Sequence, residues 1–536
     1  MAYFNLQDHL KRLEKSGYLR RIQRVINKDT ELHPLVRWQY RGGIPEEDRK
    51  AWLFENVTDS RGRRFKFPVA VGALGGNKAI YFLGMDCKDV DEMDEKWKRA
   101  LSQPIAPVLV PQGSCQEEVH IGDELRGEGL GLDEFPVPIS TPGFDNGPYT
   151  TCSHWITKDP NTGVQNIGNY RGQLKSPTRV GVFPSGLGQD IFLHWKKWQE
   201  KGEHAPAALV IGAPPVVSYV AVQKVPYGLD EMAVAGALAG EPIPVVKCKT
   251  VDIVVPADSE IVIEGFLNTE WIEPEGPFGE SHGYMHPRQL NPFMDVTAIT
   301  HRKDAIFVSW LSQLTPSESS CIRKIGYDRL MLVHLRDQCR ITSVLRVEMH
   351  EPLTNTYKLV IIQMRRPKEA EVWRALHAAC SLHPGVGKIV VAVDEDIDPT
   401  NEAAVFWAMC YRMKPHRDVH IVPGMEKGHA PPFLYKDEFR GTDVVSYHLP
   451  ADESAMLCNA IQKEPFPPVS LPKREYMEKT RAIWEELGLP KLKPEMPWYG
   501  YSLGQWDDEL DEEAKLAVQG RYYETGEKQA AQREKA

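Results

Sequence analysis

Apolar residues first recur at helical spacing near the N-terminus, where Leu6, Leu10 and Leu13 line one stripe behind Asn5. An Asn ahead of such a stripe can accept a backbone N–H from the first turn, which predicts a helix over 6–16. Short apolar runs follow at 66–73 and 79–83, with helical patterns around them such as 91–101. This stretch reads as a small mixed α/β domain. From about Leu132 to Lys303 the texture becomes β-rich: Ile156, Val164, Ile167 and Val180-Gly181-Val182-Phe183 mark short strands between turn signals such as Asp159-Pro160-Asn161-Thr162-Gly163. Residues 245–255 alternate partly and 260–266 continue the pattern, while helices are inserted at 192–201 and 229–239. Many short strands in one region predict a barrel or sandwich.

From about Ser317 the α/β pattern returns. A helix over 367–380, with Val372, Leu376 and Ala379 on one face, is ended by His383-Pro384-Gly385 and followed by the apolar strand 388–393. A continuous apolar strand after a helix argues for a parallel sheet. A further helix over 402–412 presents Ala403, Phe406, Trp407 and Cys410 as its apolar face. The tail beyond Pro472 is charged, carries Trp484, Trp498 and Trp506, and is expected to wrap a neighbouring subunit, its last dozen residues fraying.

Composition excludes more than it assigns. At 536 residues, length alone allows three to four domains. The formal charge of −10 gives no basic surface for nucleic acid. Nine scattered Cys without a CxxC pair fit a reducing cytoplasm and offer no zinc knuckle. The longest apolar stretch, 207–222, is broken by Pro214 and Pro215 and is too short to span a bilayer.

Candidate chemistry concentrates in Glu273-Pro274-Glu275-Gly276-Pro277-Phe278-Gly279-Glu280-Ser281-His282-Gly283-Tyr284. Pro and Gly make this a shaped loop that can turn Glu275 and Glu280 inward, where two carboxylates would separate in pKa and suit acid/base work. A solvated acidic turn is the bland alternative. Asp394-Glu395-Asp396-Ile397-Asp398 begins like a calcium loop, but Pro399 stands where Gly is required and Val405 where Glu is, so it reads as a structural turn. His282 and His286 are four apart without the HExxH pattern, and no dinucleotide, Walker or GxSxG motif completes. A simple metal hydrolase lacks a convincing ligand cluster. Residues 157–171 read as strand, turn, strand ending on Arg171. Asn166 and Arg171 then point to opposite faces unless a bulge intervenes at Gly168.

In this order, Asn166 with Arg171 five residues on, Glu231 within Leu229-Asp230-Glu231-Met232-Ala233, and Glu275 through Glu280 with Gly283-Tyr284 resemble the pattern of the UbiD-like family of prenylated-FMN-dependent decarboxylases. The resemblance covers most of the chain and is weakest at the extreme C-terminus. It implies an α/β and β fold: an N-terminal α/β domain over 1–115, a central split β-barrel (flavin-reductase-like) cofactor domain over 116–310, a linker over 311–336, and a C-terminal α/β oligomerisation domain with an extended tail over 337–536.

The resemblance also implies the site. Arg171, Glu275 and Glu280 form the catalytic set, with Arg171 holding Glu275 ionised and Glu280 carrying the proton. The prenylated flavin serves as electron sink while CO2 leaves, and Glu280 returns a proton to the vacated carbon. Cofactor contacts fall on Asn166, Ile167, Gly168, Tyr170, Arg171, Gln189, Asp190, Glu231 and Lys388. A divalent metal, usually Mn2+, is held by Asn166, Glu231 and Asp190, the last standing where the family has His, with K+ nearby. The implied enzyme is a cytoplasmic homo-oligomer, dimer or hexamer, supplied by a separate flavin prenyltransferase. Its substrate is an aromatic acid or an aromatic acyl-CoA, phthaloyl-CoA-like or protocatechuate-like, with Pro497-Trp498-Tyr499-Gly500-Tyr501 favouring the aromatic-acid branch. The alternatives are a carboxylase running in reverse and a non-catalytic subunit of a carboxylase complex.

Overall fold

The computed structural model describes residues 4–184, 189–223, 225, 229–286, 288–382, 386–425, 454–502 and 506–532. They divide into two compact units, one containing 4–329 and 351–357, the other 330–350, 358–425 and 454–532.

The first unit begins with the helix Leu6–Lys15, where the Asn5 side chain accepts the Asp8 N–H at 2.9 Å and Leu6, Leu10 and Leu13 are buried. A four-stranded mixed sheet follows, Leu19–Ile22, Ala51–Phe54 and Val69–Val71, completed by Phe307–Val308 from far downstream. The apolar run 79–83 lies inside the helix Lys78–Met85, whose cap Asn77 accepts the Ile80 N–H at 2.9 Å.

Glu318, fully buried, begins the helix Glu318–Val333 and accepts the N–H groups of Gly72 at 2.8 Å and Leu74 at 3.0 Å. Burial pushes its carboxyl up to about 7, against those hydrogen bonds. A carboxyl whose folded pKa is raised stabilises the fold below its unfolded pKa, and that contribution is lost as pH rises through the folded value. Between pH 5 and 8 the loss is on the order of 3 kcal/mol. Urea titrations of the native protein and Glu318→Gln are expected to show that pH slope reduced in the variant.

The centre of the unit is a nine-stranded antiparallel sheet that curls into a half-barrel: β1 (Glu118–Ile121), β2 (Tyr149–Thr150), β3 (His154–Lys158), β4 (Gln165–Asn169), β5 (Gly172–Ser176), β6 (Arg179–Val182), β7 (Ala205–Ile211), β8 (Ile261–Leu267) and β9 (Phe293–His301). The order is β4-β3-β7-β8-β9-β6-β5-β2, with β1 also on β9. The connectivity itself requires the curl. Strands β4 and β5 lie six places apart along this order, roughly 29 Å in a flat sheet. Only Tyr170 and Arg171 join them, a link that reaches about 11 Å at most. The two ends of the sheet must therefore approach each other, and Arg171 stands at the seam. A register shift between Glu264 and Gly265 bends β8 against β9. A Cβ on Gly265 would lie 2.1 Å from the Asp295 carbonyl oxygen, so the bulge needs glycine.

The second unit holds a five-stranded sheet in the order Val344–Met349, Leu359–Met364, Ile389–Asp394, Ser454–Ala460, Val419–Pro423. Its three central strands are parallel and its edges antiparallel, as the apolar run at 388–393 predicts. The acidic turn after Ile389–Asp394 is held by Arg412, which donates to Asp394 at 2.8 Å and to both oxygens of Asp396 at 2.7 and 2.6 Å.

Two sequence expectations fail in this unit. The helix Glu402–Arg412 buries Ala404, Val405 and Ala408, while Phe406 and Cys410 are exposed. Small residues let the helix lie close to the sheet, while Phe406 turns outward and Trp407 and Met409 pack against the core from its edge. The chain end, expected to fray, is helical over Tyr522–Ala530. The tail helices Arg474–Glu486, Asp508–Val518 and Tyr522–Ala530 contain no buried residue. His383-Pro384-Gly385 lies outside the described residues.

Candidate active site

Strands β4 and β5 place the first half of the site. β4 pairs with β3 in unbroken register from Gln165↔Lys158 to Asn169↔His154, so the bulge anticipated at Gly168 is absent. Asn166 and Arg171 instead reach one cavity because the chain leaves β4 after Asn169 and crosses the seam. Gly168 is required for another reason: a Cβ there would come within 2.6 Å of the Tyr170 ring, which is 8% exposed. Gly168→Ala is expected to cost about 1–3 kcal/mol through overpacking, checked by urea denaturation.

The Pro/Gly segment forms two short ladders, Glu273–Glu275 with Gln289–Asn291 and Phe278–Gly279 with Met285–His286. Between them the Gly276 N–H donates to the Tyr149 hydroxyl at 3.1 Å. This frame points Glu275 and Glu280 at Arg171 in different ways. Arg171 Nε and Nη2 donate to the two oxygens of Glu275, each at 2.8 Å, and Nη1 donates to Glu280 Oε1. The Glu275 side chain is 1% exposed and that of Glu280 15%. Asn291 Nδ2 donates to Glu275 at 3.3 Å, and the Phe183 ring packs against the guanidinium with its centroid 4.0 Å from Cζ. Burial alone would lower the Arg171 pKa; Glu275 and Glu280 more than reverse this, so the cation is held above its ordinary value.

The second half comes from two helices. Gln189 precedes the helix Asp190–Lys201, and Asp230 caps Glu231–Ala239 by accepting the Met232 N–H, making Asp190 and Glu231 the first residue of each. Both meet the same amide: Asn166 Nδ2 lies 2.9 Å from Glu231 and 3.2 Å from Asp190, and the Ile167 N–H also reaches Glu231. Burial pushes the Glu231 carboxyl up to about 7, with Asp190 and Asp230 adding to it. Two crowded carboxylates beside an amide whose oxygen can turn inward fit a hard divalent cation. The N-termini of the two helices favour an anion close by.

A cavity of about 270 Å³ joins these halves and is lined by Asn166, Ile167, Gly168, Tyr170, Arg171, Gln189, Asp190, Glu231 and Glu280. Glu275 is not part of the lining and meets it through Arg171. Lys388 belongs to the second unit, where it precedes the strand Ile389–Asp394 and its carbonyl accepts the Met456 N–H at 2.8 Å. The wall also contains Trp310, Arg323, Tyr327 and Tyr357, which the sequence reading omits. Arg323 donates to the Tyr357 hydroxyl at 2.7 Å, and the Tyr327 and Tyr357 rings meet edge to face at 5.1 Å. Arg323 and Tyr327 are four apart on Glu318–Val333, a spacing visible once that helix is recognised. Tyr357 gives no comparable signal: its approach runs through Leu353, Asn355 and Thr356 at positive φ.

Comparison with known proteins places this arrangement. Residues 108–313 match the Rift-related domain, and 327–459 the C-terminal domain, of the 3-octaprenyl-4-hydroxybenzoate carboxy-lyase (UbiD) models. An uncharacterized protein of Synechocystis sp. is 31% identical over 444 residues, 78% of this chain and 84% of that protein. An evolved dimeric form of the UbiD-class enzyme HmfF from Pelotomaculum thermopropionicum, solved in complex with prFMN, is 28% identical, with a TM-score of 0.72 over 87% of this chain and 97% of that one. Vanillic acid decarboxylase of Sedimentibacter hydroxybenzoicus shares the fold, with a TM-score of 0.74 and 24% identity over 91% of this chain and 99% of that one. Among the described residues no helix is long and apolar enough to cross a membrane. The two models follow one another in order along the chain, and both the half-barrel with Arg171 at its seam and the ladder that carries Glu275 fall within the first: the chain belongs to the UbiD family.

Proposed function

We propose that the chain is a reversible, non-oxidative decarboxylase of an aromatic carboxylic acid or its CoA thioester, working with prenylated FMN and with Glu280 as proton donor. The observation that carries this reading is the unequal hold of Arg171 on two carboxylates, a fork on buried Glu275 and one bond on Glu280. The family models are named for an aromatic-acid carboxy-lyase, and HmfF was solved with prFMN, which supports both the substrate class and the cofactor. When bound, the flavin supplies an electron sink for the carbon that loses CO2.

The residues of the chain do the rest. Glu275 fixes the plane of the guanidinium, and a planar fork orients a carboxylate better than a point charge does. Glu280, on the cavity wall, gives a proton to the ring carbon as the bond to CO2 breaks, and regains it from solvent. Trp310, Tyr327 and Tyr357 offer aromatic faces to the ring, and Arg323 offers a cation to an acidic or phenolic substituent. Asn166, Asp190 and Glu231 would hold a divalent cation, Mn2+ by preference, whose charge would help to bind the anionic cofactor, with K+ nearby. Supply of the cofactor by a flavin prenyltransferase, homo-oligomeric assembly, and N-terminal, half-barrel and C-terminal domains divided near 115 and 311–336 complete the reading.

The test uses protein made anaerobically with the prenyltransferase and incubated with aromatic acids and thioesters in heavy water. CO2 release with ring deuteration is expected for at least one; neither, across the panel, would sink the proposal. Glu231→Ala is expected to lower both bound metal and retained flavin at least about tenfold, measured by elemental analysis and absorbance.

A further inference from the structure

A second group of ligands lies on the half-barrel away from the Arg171 cavity. Strand β1 pairs with β9 so that His120 faces Ile299 and Thr300 faces Val119. His301, two residues past Ile299, therefore shares a sheet face with His120. The two rings stack with centroids 5.4 Å apart and planes 15° from parallel. Glu134 ends the short helical turn Gly131–Glu134 beside them. One donor atom from each of the three lies within 4.8 Å of the other two.

His301 is built like a ligand. It is 1% exposed, and the Phe67 and Phe135 rings stand edge-on to it at 5.3 and 5.6 Å. Its Nδ1 lies 2.7 Å from the carbonyl oxygen of Arg302, which places the ring proton on that nitrogen. Nε2 is left with a lone pair, buried and without a hydrogen-bond partner. Donation of the other ring N–H to a backbone carbonyl is the usual means by which a metal-binding His is oriented. Burial lowers the affinity of this ring for a proton; Arg302 and Glu134 oppose that effect, and His120 and Lys66 add to it.

We infer that His120, Glu134 and His301 bind a divalent transition metal of the zinc class, with water in the fourth position. Two imidazoles and a carboxylate are a known zinc donor set, with bonds of about 2.0–2.2 Å. Tetrahedral coordination needs donors about 3.3 Å apart, and small rotations of the half-buried His120 and Glu134 side chains bring them that close. The bound ion would tie β1, β9 and the turn 131–134 together.

The test is equilibrium dialysis of EDTA-treated full-length protein against Zn2+, in a Glu231→Ala background that silences the oxygen site. One Zn2+ per chain is expected, with His120→Ala or Glu134→Gln each weakening binding at least tenfold. The Co2+ form of the otherwise native chain should give the intense visible absorption of tetrahedral coordination, lost in His120→Ala. Absence of zinc uptake, uptake indifferent to both substitutions, or only the weak spectrum of octahedral Co2+ would each overturn the assignment.

Discussion

Glu280→Gln is expected to abolish ring deuteration while the flavin stays bound. The substitution keeps the size of the side chain and leaves an amide oxygen to accept from Arg171 Nη1, so the frame of the loop is preserved. It removes the exchangeable acid. General acid catalysis contributes about 100- to 10,000-fold, and a Gln in that place has no proton of suitable acidity to give. Flavin content from absorbance and deuterium incorporation from mass spectrometry separate the two effects. Unchanged exchange with full flavin content would remove Glu280 from its role. Loss of flavin would instead mean that the loop shapes the cofactor pocket.

The second large effect falls on Arg171. Arg171→Met is expected to destabilise the first unit by about 3–5 kcal/mol, because Glu275 would remain buried without its counter-ion. Its side chain is 1% exposed, and among the described residues Asn291 would still donate to it. Adding Glu275→Leu should return much of that stability, since a buried ion pair replaced by apolar groups is often neutral or better. Activity should not return. Urea denaturation of the single and double variants, beside decarboxylation assays, reads both quantities. A double variant no more stable than Arg171→Met would show that the guanidinium is needed by the fold as well as by the reaction.

What the sequence discloses depends on the range of the interaction. The Asn5 cap and the stripe Leu6, Leu10, Leu13 are local, and they form as read. Arg171, Glu275 and Glu280 are legible as a family pattern, and they meet through three hydrogen bonds. A bulge at Gly168 is required only if Arg171 continues the strand that carries Asn166; the curl that brings β4 and β5 together arises from the whole sheet and has no local signature. Hydrophobicity misleads on Glu402–Arg412, where Ala404 and Ala408 face the sheet because they are small, and Phe406 does not. Tyr357 and the pair His120 and His301 become neighbours of their sites only through the tertiary fold.

The strand Phe307–Val308 closes the N-terminal sheet by pairing with Val69–Val71. During synthesis the ribosome must add the entire half-barrel between these two strands, which takes roughly 10–50 s at ordinary elongation rates. Until then Val69–Val71 is an open edge on the nascent chain, able to pair with other polypeptides. A product truncated before Phe307 should therefore aggregate, whereas one ending beyond Arg329 retains both partners of that edge. Late pairing of this kind also makes folding slow, so the first unit would be complete only after most of the chain has left the ribosome.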